Sequence, residues 1–397
     1  MKTLLVSYCD TGGAGKACVR LHRGLLDQGV DSKLLVLVQN DPSVPESYLF
    51  YGNRMIRRKL RFGINKIVSR KSKISSLTKG YEGFSFPYSA HKLHLHPLVQ
   101  WADVVNLHWV ASFLDYPSFF RATSKPVAWT LHDMLPFSGG YHYRVGFPMD
   151  AYDCHIRENV TVKTRAVENA NLTVVPLCEW MKSESESSKA FGDLTHQLIP
   201  NGINTDQFRG HDRELARSVF NIPHDKKVLL FAADVLENKR KGFDLLIRAL
   251  QQLGDSESVV LAVVGRGIVE IDTLQSISLG YIADERLMAL AYSAADLFVI
   301  PSVEDNLPNT VVGSICCGTP VVGFNIGGIP DMIQESINGC LANETNAESL
   351  CSVLKKALVT SFDRSAIRVA AVTKYHQSVQ SNRYIDLFKS LTAKDGK

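Results

Sequence analysis

The chain has no run approaching the ~20 consecutive apolar residues that a membrane span requires. Its first apolar run, over residues 1–8, is too short for a signal peptide and reads as an opening strand. The eight cysteines contain no Cys-x-x-Cys pair, and Cys316-Cys317 sit within an apolar run. That usage fits a reduced, cytoplasmic protein with buried thiols better than a disulfide framework or a zinc module. Net charge is also small, +4 over 397 residues, so partners must be sought in local clusters. With 45% apolar and 21% charged residues, disorder is not expected, and the length calls for two domains rather than one core.

Acidic residues are missing altogether from residues 53–73, where nine Lys or Arg occur. Met55, Ile56, Leu60, Ile64, Ile67 and Val68 recur there at near-helical spacing. A basic amphipathic helix of this kind fits an anionic membrane surface, with Arg57, Arg58, Lys59 and Arg61 as the contacts. A solvated helix face packed on its own domain is the competing reading. Nucleic acid is disfavoured, because no aromatic platform or base-reading motif accompanies the charge. His91, His94 and His96 have no carboxylate or cysteine nearby, and only His94 and His96 share a strand face, so no metal site is expected.

Gly12-Gly13-Ala14-Gly15-Lys16 lacks two parts of an ATPase phosphate loop. Asp10 stands where that loop needs its first glycine, and Ala17 where it needs a magnesium-binding hydroxyl. What remains is a loop that lets a substrate approach the backbone closely, or a tight turn and nothing more. It lies in a β-α-β pattern: a strand over 2–7, a glycine-rich turn over 8–15, a helix over 16–29 and a strand over 32–38. Residues 81–97 look like a loop. Strands follow over 104–108 and 126–131, the second running into His132-Asp133. A histidine at a strand's C-terminal end is a site candidate, with a core histidine as the alternative. Residues 137–143 form a glycine-aromatic loop that suits an acceptor wall, Tyr141 included. Helix is expected over 161–169, and residues 197–203 read as a strand entering a turn.

The pattern restarts after a boundary near residues 200–209. A strand over 227–232, a basic loop over 234–242 and a helix over 243–253 precede a strand over 259–264 that ends in Gly265-Arg266-Gly267. A short strand follows over 277–281. Residues 299–328 then bring two strand ends and a helix N-terminus together within thirty residues, the helix spanning 310–317. In a parallel sheet that is where anionic ligands bind, because unpaired N–H groups and the helix dipole point there. The chain closes with a helix over 375–392. The fold class is therefore α/β, with two doubly wound sheets.

The glycine loop, His132-Asp133, Arg240-Lys241-Gly242, and above all Asp305-Asn306-Leu307-Pro308-Asn309-Thr310 followed by Cys317-Gly318-Thr319-Pro320-Val321-Val322, resemble family 4 of the retaining glycosyltransferases. The likeness runs over nearly the whole chain and looks closest to bacterial enzymes of capsule, exopolysaccharide or O-antigen assembly. It implies a GT-B fold, two Rossmann-like domains facing across a cleft. The first would span 1–200 and bind acceptor; the second would span 201–375 and bind the nucleotide sugar. A C-terminal helix over 376–397 would pack back on the first.

The resemblance implies a UDP- or GDP-linked donor, a glycan or lipid-linked acceptor, no cofactor, and a cytoplasmic location with peripheral attachment to the inner membrane face. It assigns His132, Arg240, Lys241 and Asp305 to the chemistry. Gly12, Gly13, Gly265, Gly267, Tyr281, Asn306, Leu307, Asn309 and Thr310 fall to the donor, and Lys16, Asp133 and Tyr141 to the acceptor. One departure matters. The family's second motif acid, which binds the ribose hydroxyls, corresponds here to Gly313. Losing that charge-assisted hydrogen bond costs roughly 1.5–3 kcal/mol, about ten- to a hundredfold in donor affinity. A non-catalytic nucleotide-sugar-binding protein and a nucleotide-sugar epimerase of the same architecture are therefore the alternatives.

Overall fold

A computed structural model describes residues 1–52, 59, 62–65, 67, 83–254, 257–268 and 274–394. The chain divides into two compact units, Met1–Gly202 with Gln377–Lys397, and Ile203–His376. Arg57, Arg58 and Arg61 lie outside the described residues. Lys59 is helical and exposed.

Unit 1 is built on a seven-stranded sheet: β1 (Lys2–Cys9), β2 (Asp31–Val38), β3 (Ser47–Leu49), β4 (Val104–Leu107), β5 (Val127–Leu131), β6 (Leu172–Pro176) and β7 (Thr195–His196). The spatial order is β3-β2-β1-β4-β5-β6-β7, and every neighbouring pair is parallel. Leu4, Leu5 and Val6 are all fully buried, as expected of a strand covered on both faces. The helix Gly12–Asp27 begins four residues earlier than the sequence pattern suggests, so Gly12, Gly13 and Gly15 form its first turn rather than a loop. Gly15 is what lets that helix lie on β1. A Cβ there would stand 2.7 Å from the Cys9 carbonyl oxygen.

Residues 197–203 form no strand, although Gln197 and Ile199 still donate to Val174 and Pro176. The expected loop before Pro97 contains one 3-10 turn, Leu93–Leu95, and Phe84 pairs with Tyr141. His91 there is fully buried and bonded to the Tyr51 hydroxyl at 2.6 Å. The helix expected over 161–169 is in fact Met149–Val167. Six of the eight cysteines are buried, but Cys154 is exposed and Cys9 half-buried, which corrects the expectation for those two thiols.

The terminal helix expected over 375–392 is Gln377–Lys394, set off from the preceding helix Arg364–Tyr375 where His376 leaves the helical region (ψ 139°). The break is also the passage from one unit to the other. Leu387, Phe388 and Leu391 of the last helix join Leu21 and Leu25 of the first in one apolar cluster of unit 1.

Unit 2 has a six-stranded parallel sheet: β8 (Lys227–Val235), β9 (Val259–Arg266), β10 (Gln275–Gly280), β11 (Leu297–Ile300), β12 (Val321–Phe324) and β13 (Gly339–Ala342). Its order, β10-β9-β8-β11-β12-β13, repeats the doubly wound plan of unit 1. The helix Phe243–Gln251 covers it with Leu246, Ala249 and Leu250, while Leu350 and Leu354 come from Ala347–Val359. After β8 the chain makes one 3-10 turn, Lys239–Lys241, and reverses at Gly242 (φ +67°). A Cβ on Gly242 would fall 1.8 Å from the Pro301 carbonyl oxygen, so the turn is pressed against the end of β11.

Two glycines with similar backbone angles separate these effects. Gly254 (φ +87°) faces open space. Gly254→Ala should cost about 1–2 kcal/mol for the left-handed conformation alone. Gly242→Ala adds the clash and should cost at least about 3 kcal/mol. Chemical denaturation of both variants checks this, and equal losses would disprove the close approach.

Candidate functional site

In each sheet the strand order reverses once, between β1 and β4 and between β8 and β11. The connections leaving neighbouring strands diverge at such a point and open a crevice at their carboxyl ends. Unit 2 places a polar cluster there, unit 1 places one beside it at the ends of β4 and β5, and each cluster is organised by one buried aspartate.

In unit 2 the aspartate is Asp305. Lys241 Nζ lies 2.6 Å from its Oδ2, Arg240 Nη1 3.3 Å from Oδ1, and Ser302 Oγ donates to Oδ2 at 3.1 Å. Arg240 also donates to the Glu304 carbonyl at 2.8 Å, and Val303 N–H donates to the Arg240 carbonyl at 2.9 Å. The Arg-Lys-Gly turn is thus laced to residues 301–305 through backbone and side chain together. Gly327-Gly328 closes from the other side, with Gly328 N–H on the Asp305 carbonyl at 3.0 Å. Burial pushes the Asp305 carboxyl up, but Lys241 and Arg240, with the Lys241 and Ser302 hydrogen bonds, outweigh it and hold the group at about 2. One carboxylate between two cations leaves those three side chains with a net positive charge.

Asn306 and Leu307 are buried, and Asn309 and Thr310 are half-buried at the start of the helix Asn309–Cys316. That helix has no acid in its first turn and no side-chain cap. At the end of β9, Arg266 pairs with Asp234 at 2.7 Å and lies over the Tyr281 ring at 4.5 Å, leaving the ring half exposed. A Cβ on Gly265 would stand 2.5 Å from the Ala233 carbonyl oxygen, so that position excludes a side chain; at Gly267 it would meet only the end of the Glu237 side chain, and the backbone angle (φ +135°) is what favours glycine. A Cβ on Gly313 would meet the Tyr292 ring at 2.9 Å and the Phe208 ring at 3.1 Å. Two aromatic rings therefore fill the direction an acid would take at this position.

In unit 1 the aspartate is Asp133, directly after β5. It accepts from Trp109 Nε1 at 2.8 Å, His142 Nδ1 at 2.6 Å and Leu135 N–H at 2.9 Å. Burial alone would raise its pKa; the His142 charge and these hydrogen bonds reverse that and lower it. His132 is half-buried beside it, stacked on His108, which follows β4 as His132 follows β5. His108, His142 and Trp109 escaped the sequence reading. The signal for His108 was present, since it too ends an apolar strand. His142 carried none, being joined to Asp133 only by the fold of the loop.

That loop is not an open wall. Gly139 and Gly140 pack onto Ile156 and the Phe84 ring, and Tyr141 lies against Phe147, so residues 138–142 are largely buried. Lys16 sits half-buried in the first turns of the helix that Gly12 and Gly13 begin, and Gly12 and Gly13 are exposed.

Lys163, on the helix Met149–Val167, was also missed. It is fully buried, donates to the Leu135 and Ser138 carbonyls (the latter at 2.7 Å) and lies 5.2 Å from the Tyr116 ring centre. It pins the loop that carries Asp133 and His142. Burial lowers its pKa to about 7, against a smaller opposing pull from Asp133.

Residues 226–359 match the family model Glycosyl transferases group 1. A D-inositol 3-phosphate glycosyltransferase of Mycobacteroides abscessus is 29% identical over 199 residues, 46% of this chain and 44% of the relative. D-inositol 3-phosphate glycosyltransferase 1 of Catenulispora acidiphila is 30% identical over 199 residues, 45% and 47% of the two chains. The chain thus spans under half the length of these curated relatives. Among solved structures, HepE from Anabaena in complex with UDP and glucose superposes with a TM-score of 0.67 at 15% identity, covering 98% of this chain and 100% of that one. Sucrose-phosphate synthase from Thermosynechococcus elongatus gives 0.70 at 16%, covering 99% and 100%. WaaG, a glycosyltransferase involved in lipopolysaccharide biosynthesis, gives 0.60 at 18%, covering 99% and 98%. At these identities the likeness speaks to the fold, which is GT-B, with a Rossmann-like parallel sheet in each unit.

Lys163 gives a pH test of the unit 1 cluster. An ordinary lysine titrates at 10.5, and this one at about 7. The unfolded chain therefore binds more protons between those values, and Lys163 adds stability as pH rises, by up to about 1.4 kcal/mol per unit. Below about 7 its full penalty is present. Lys163→Met should flatten the stability profile between pH 7 and 10, measured by urea unfolding. An unchanged slope would refute the buried, easily neutralised amine.

Proposed function

We propose that the protein is a retaining glycosyltransferase that moves a sugar from a UDP- or GDP-linked donor to a glycan or lipid-linked glycan of surface polysaccharide. The observation that carries this reading is the Arg240–Lys241–Asp305 cluster at the reversal point of unit 2, within the segment that matches the group 1 family model. A departing nucleoside diphosphate develops negative charge, and cations already fixed on a buried carboxylate meet it without reorganising. Further support comes from HepE, whose structures hold UDP and UDP-glucose, and from WaaG's part in lipopolysaccharide biosynthesis.

In this reading Arg240 and Lys241 bind the diphosphate, joined by the amino-terminal end of the helix Asn309–Cys316. Asp305 holds the two cations in place rather than offering its oxygens to the sugar. Tyr281, backed by Arg266, gives the base a flat surface. In unit 1 the exposed amides of Gly12 and Gly13 approach a phosphate, and His132 accepts a hydrogen bond from a sugar hydroxyl. Transfer is a front-face displacement. The bond from the anomeric carbon to the phosphate oxygen breaks, the acceptor oxygen bonds to that carbon on the same face, and its proton passes to the leaving phosphate oxygen. No cofactor is assigned to this step.

A second reading, a nucleotide-sugar-binding protein without turnover, is favoured by Gly313. With the Tyr292 and Phe208 rings closing that position, no carboxylate there can hold the ribose.

A thermal-shift screen of UDP- and GDP-sugars, followed by radiolabelled transfer, separates the readings, since a ligand of the folded state raises its melting point. Lys241→Ala should lower turnover by about tenfold or more with the fold intact, the equivalent of one charge-assisted hydrogen bond. Unchanged turnover would remove its role, and binding without transfer or hydrolysis would favour the second reading. The basic segment is proposed to hold the protein at the membrane bearing its acceptor. Co-sedimentation with anionic liposomes should then fall when Arg57, Arg58, Lys59 and Arg61 become Ser, and binding indifferent to that change would count against it.

A further inference from the structure

His132 is the last member of a hydrogen-bonded chain that starts in the terminal helix. Tyr384, fully buried, bonds Thr130 Oγ1 through its hydroxyl at 2.7 Å. Asn106 Nδ2 donates to the same Thr130 oxygen and to the Ala128 carbonyl, both at 3.0 Å. The amide nitrogen is therefore committed on both its hydrogens. Asn106 Oδ1 is left to face His108 Nε2 at 2.9 Å, and His108 Nδ1 faces His132 Nε2 at 2.9 Å.

These contacts fix where every proton sits. An amide oxygen only accepts, so His108 Nε2 carries a hydrogen. His108 is buried and neutral: burial, then the neighbouring His132, pushes its pKa well below the usual imidazole range. Its Nδ1 is consequently a lone pair, and His132 must bring the hydrogen to that contact on Nε2. Burial holds His132 at about 4, Asp133 opposing more weakly, so this ring is also neutral near pH 7 and its Nδ1 is bare. The reverse arrangement would set the lone pair of His108 Nε2 against that of Asn106 Oδ1, and both residues are buried. Among the described residues no hydrogen bond is made by His132 Nδ1, and the ring is only half-buried.

We propose that Asn106 and His108 are positioning residues that hold His132 as its Nε2–H tautomer, so that Nδ1 stands as a fixed acceptor for a substrate sugar hydroxyl. The sugar rests on the transferase reading; the tautomer does not. An imidazole with its proton on the other nitrogen would donate instead, and the same hydroxyl would have to turn its hydrogen away. The choice between accepting and donating is made two residues back, by a side chain that cannot tautomerise.

The test reads the tautomer directly. The full chain, labelled with 15N-histidine, gives two-bond 15N–1H correlation spectra at pH 7, and His132→Gln identifies the His132 signals by their loss. The unliganded protein should show the neutral Nε2–H pattern. Asn106→Leu and His108→Phe should each release His132 into a mixture of tautomers. In the transfer assay Asn106→Leu should lose about tenfold in kcat/KM, the scale of one hydrogen bond. A wild-type His132 that is Nδ1–H or doubly protonated overturns the proposal, and so does a signature unchanged in the folded variants. Should both variants unfold, the wild-type pattern decides alone. Absence of transfer with every nucleotide sugar would defeat the transferase reading while leaving the tautomer result intact.

Discussion

A charge removed from water has to be matched where it stands, and both strand-end clusters obey that constraint around a single carboxylate. Asp133 gathers an indole, an imidazole and a backbone amide; Asp305 gathers an ammonium, a guanidinium and a hydroxyl. Breaking such a pair from one side is expensive, on the order of 3–5 kcal/mol, because the remaining charge is stranded. The partners are therefore held as rigidly as any core residue, although they occupy loops. Preorganisation at a site and satisfaction of a buried charge are here the same set of contacts.

The sheet supplies the reason these carboxylates lie where they do. Strands such as β4, β5 and β11 are buried along their whole length and leave no room for ionisable groups. The ionisable groups of the two clusters come after a strand has ended, whereas buried mid-strand polar residues such as Asn106 and Thr130 are uncharged. His108, His132, Asp133 and Ser302 through Asp305 all begin within a few residues of such an end. At the opposite end of β11, Asp296 pairs with the buried Arg217 and the more exposed Arg213, joining the strand to the helix Arg213–Val219.

This division marks what could be read from the sequence. Apolar runs of strand length alternating with helical patterns carry the two-sheet α/β architecture directly. Helix ends were less legible. Glycine-rich residues 12–15 look like a turn, yet they are helical because Gly15 permits contact with β1, a tertiary fact. Within the site, Arg240-Lys241 and Asp305 stand out as motifs, but their mutual pairing spans 64 residues and follows only from adjacency of β8 and β11. Lys163 resembles any helix lysine until its burial is known. Gly313 is legible as a missing acid, while the rings of Tyr292 and Phe208 filling its place come from elsewhere in the chain.

The last helix belongs to the first unit. Tyr384, Leu387, Phe388 and Leu391 complete an apolar cluster whose other buried members come from residues before Gly202. The second unit is one continuous stretch, Ile203–His376, and leaves the ribosome whole before that helix does. During synthesis, then, the amino-terminal sheet must wait with an uncovered apolar face while the later unit already has every residue it needs. The order of emergence from the ribosome and the order of completion run in opposite directions.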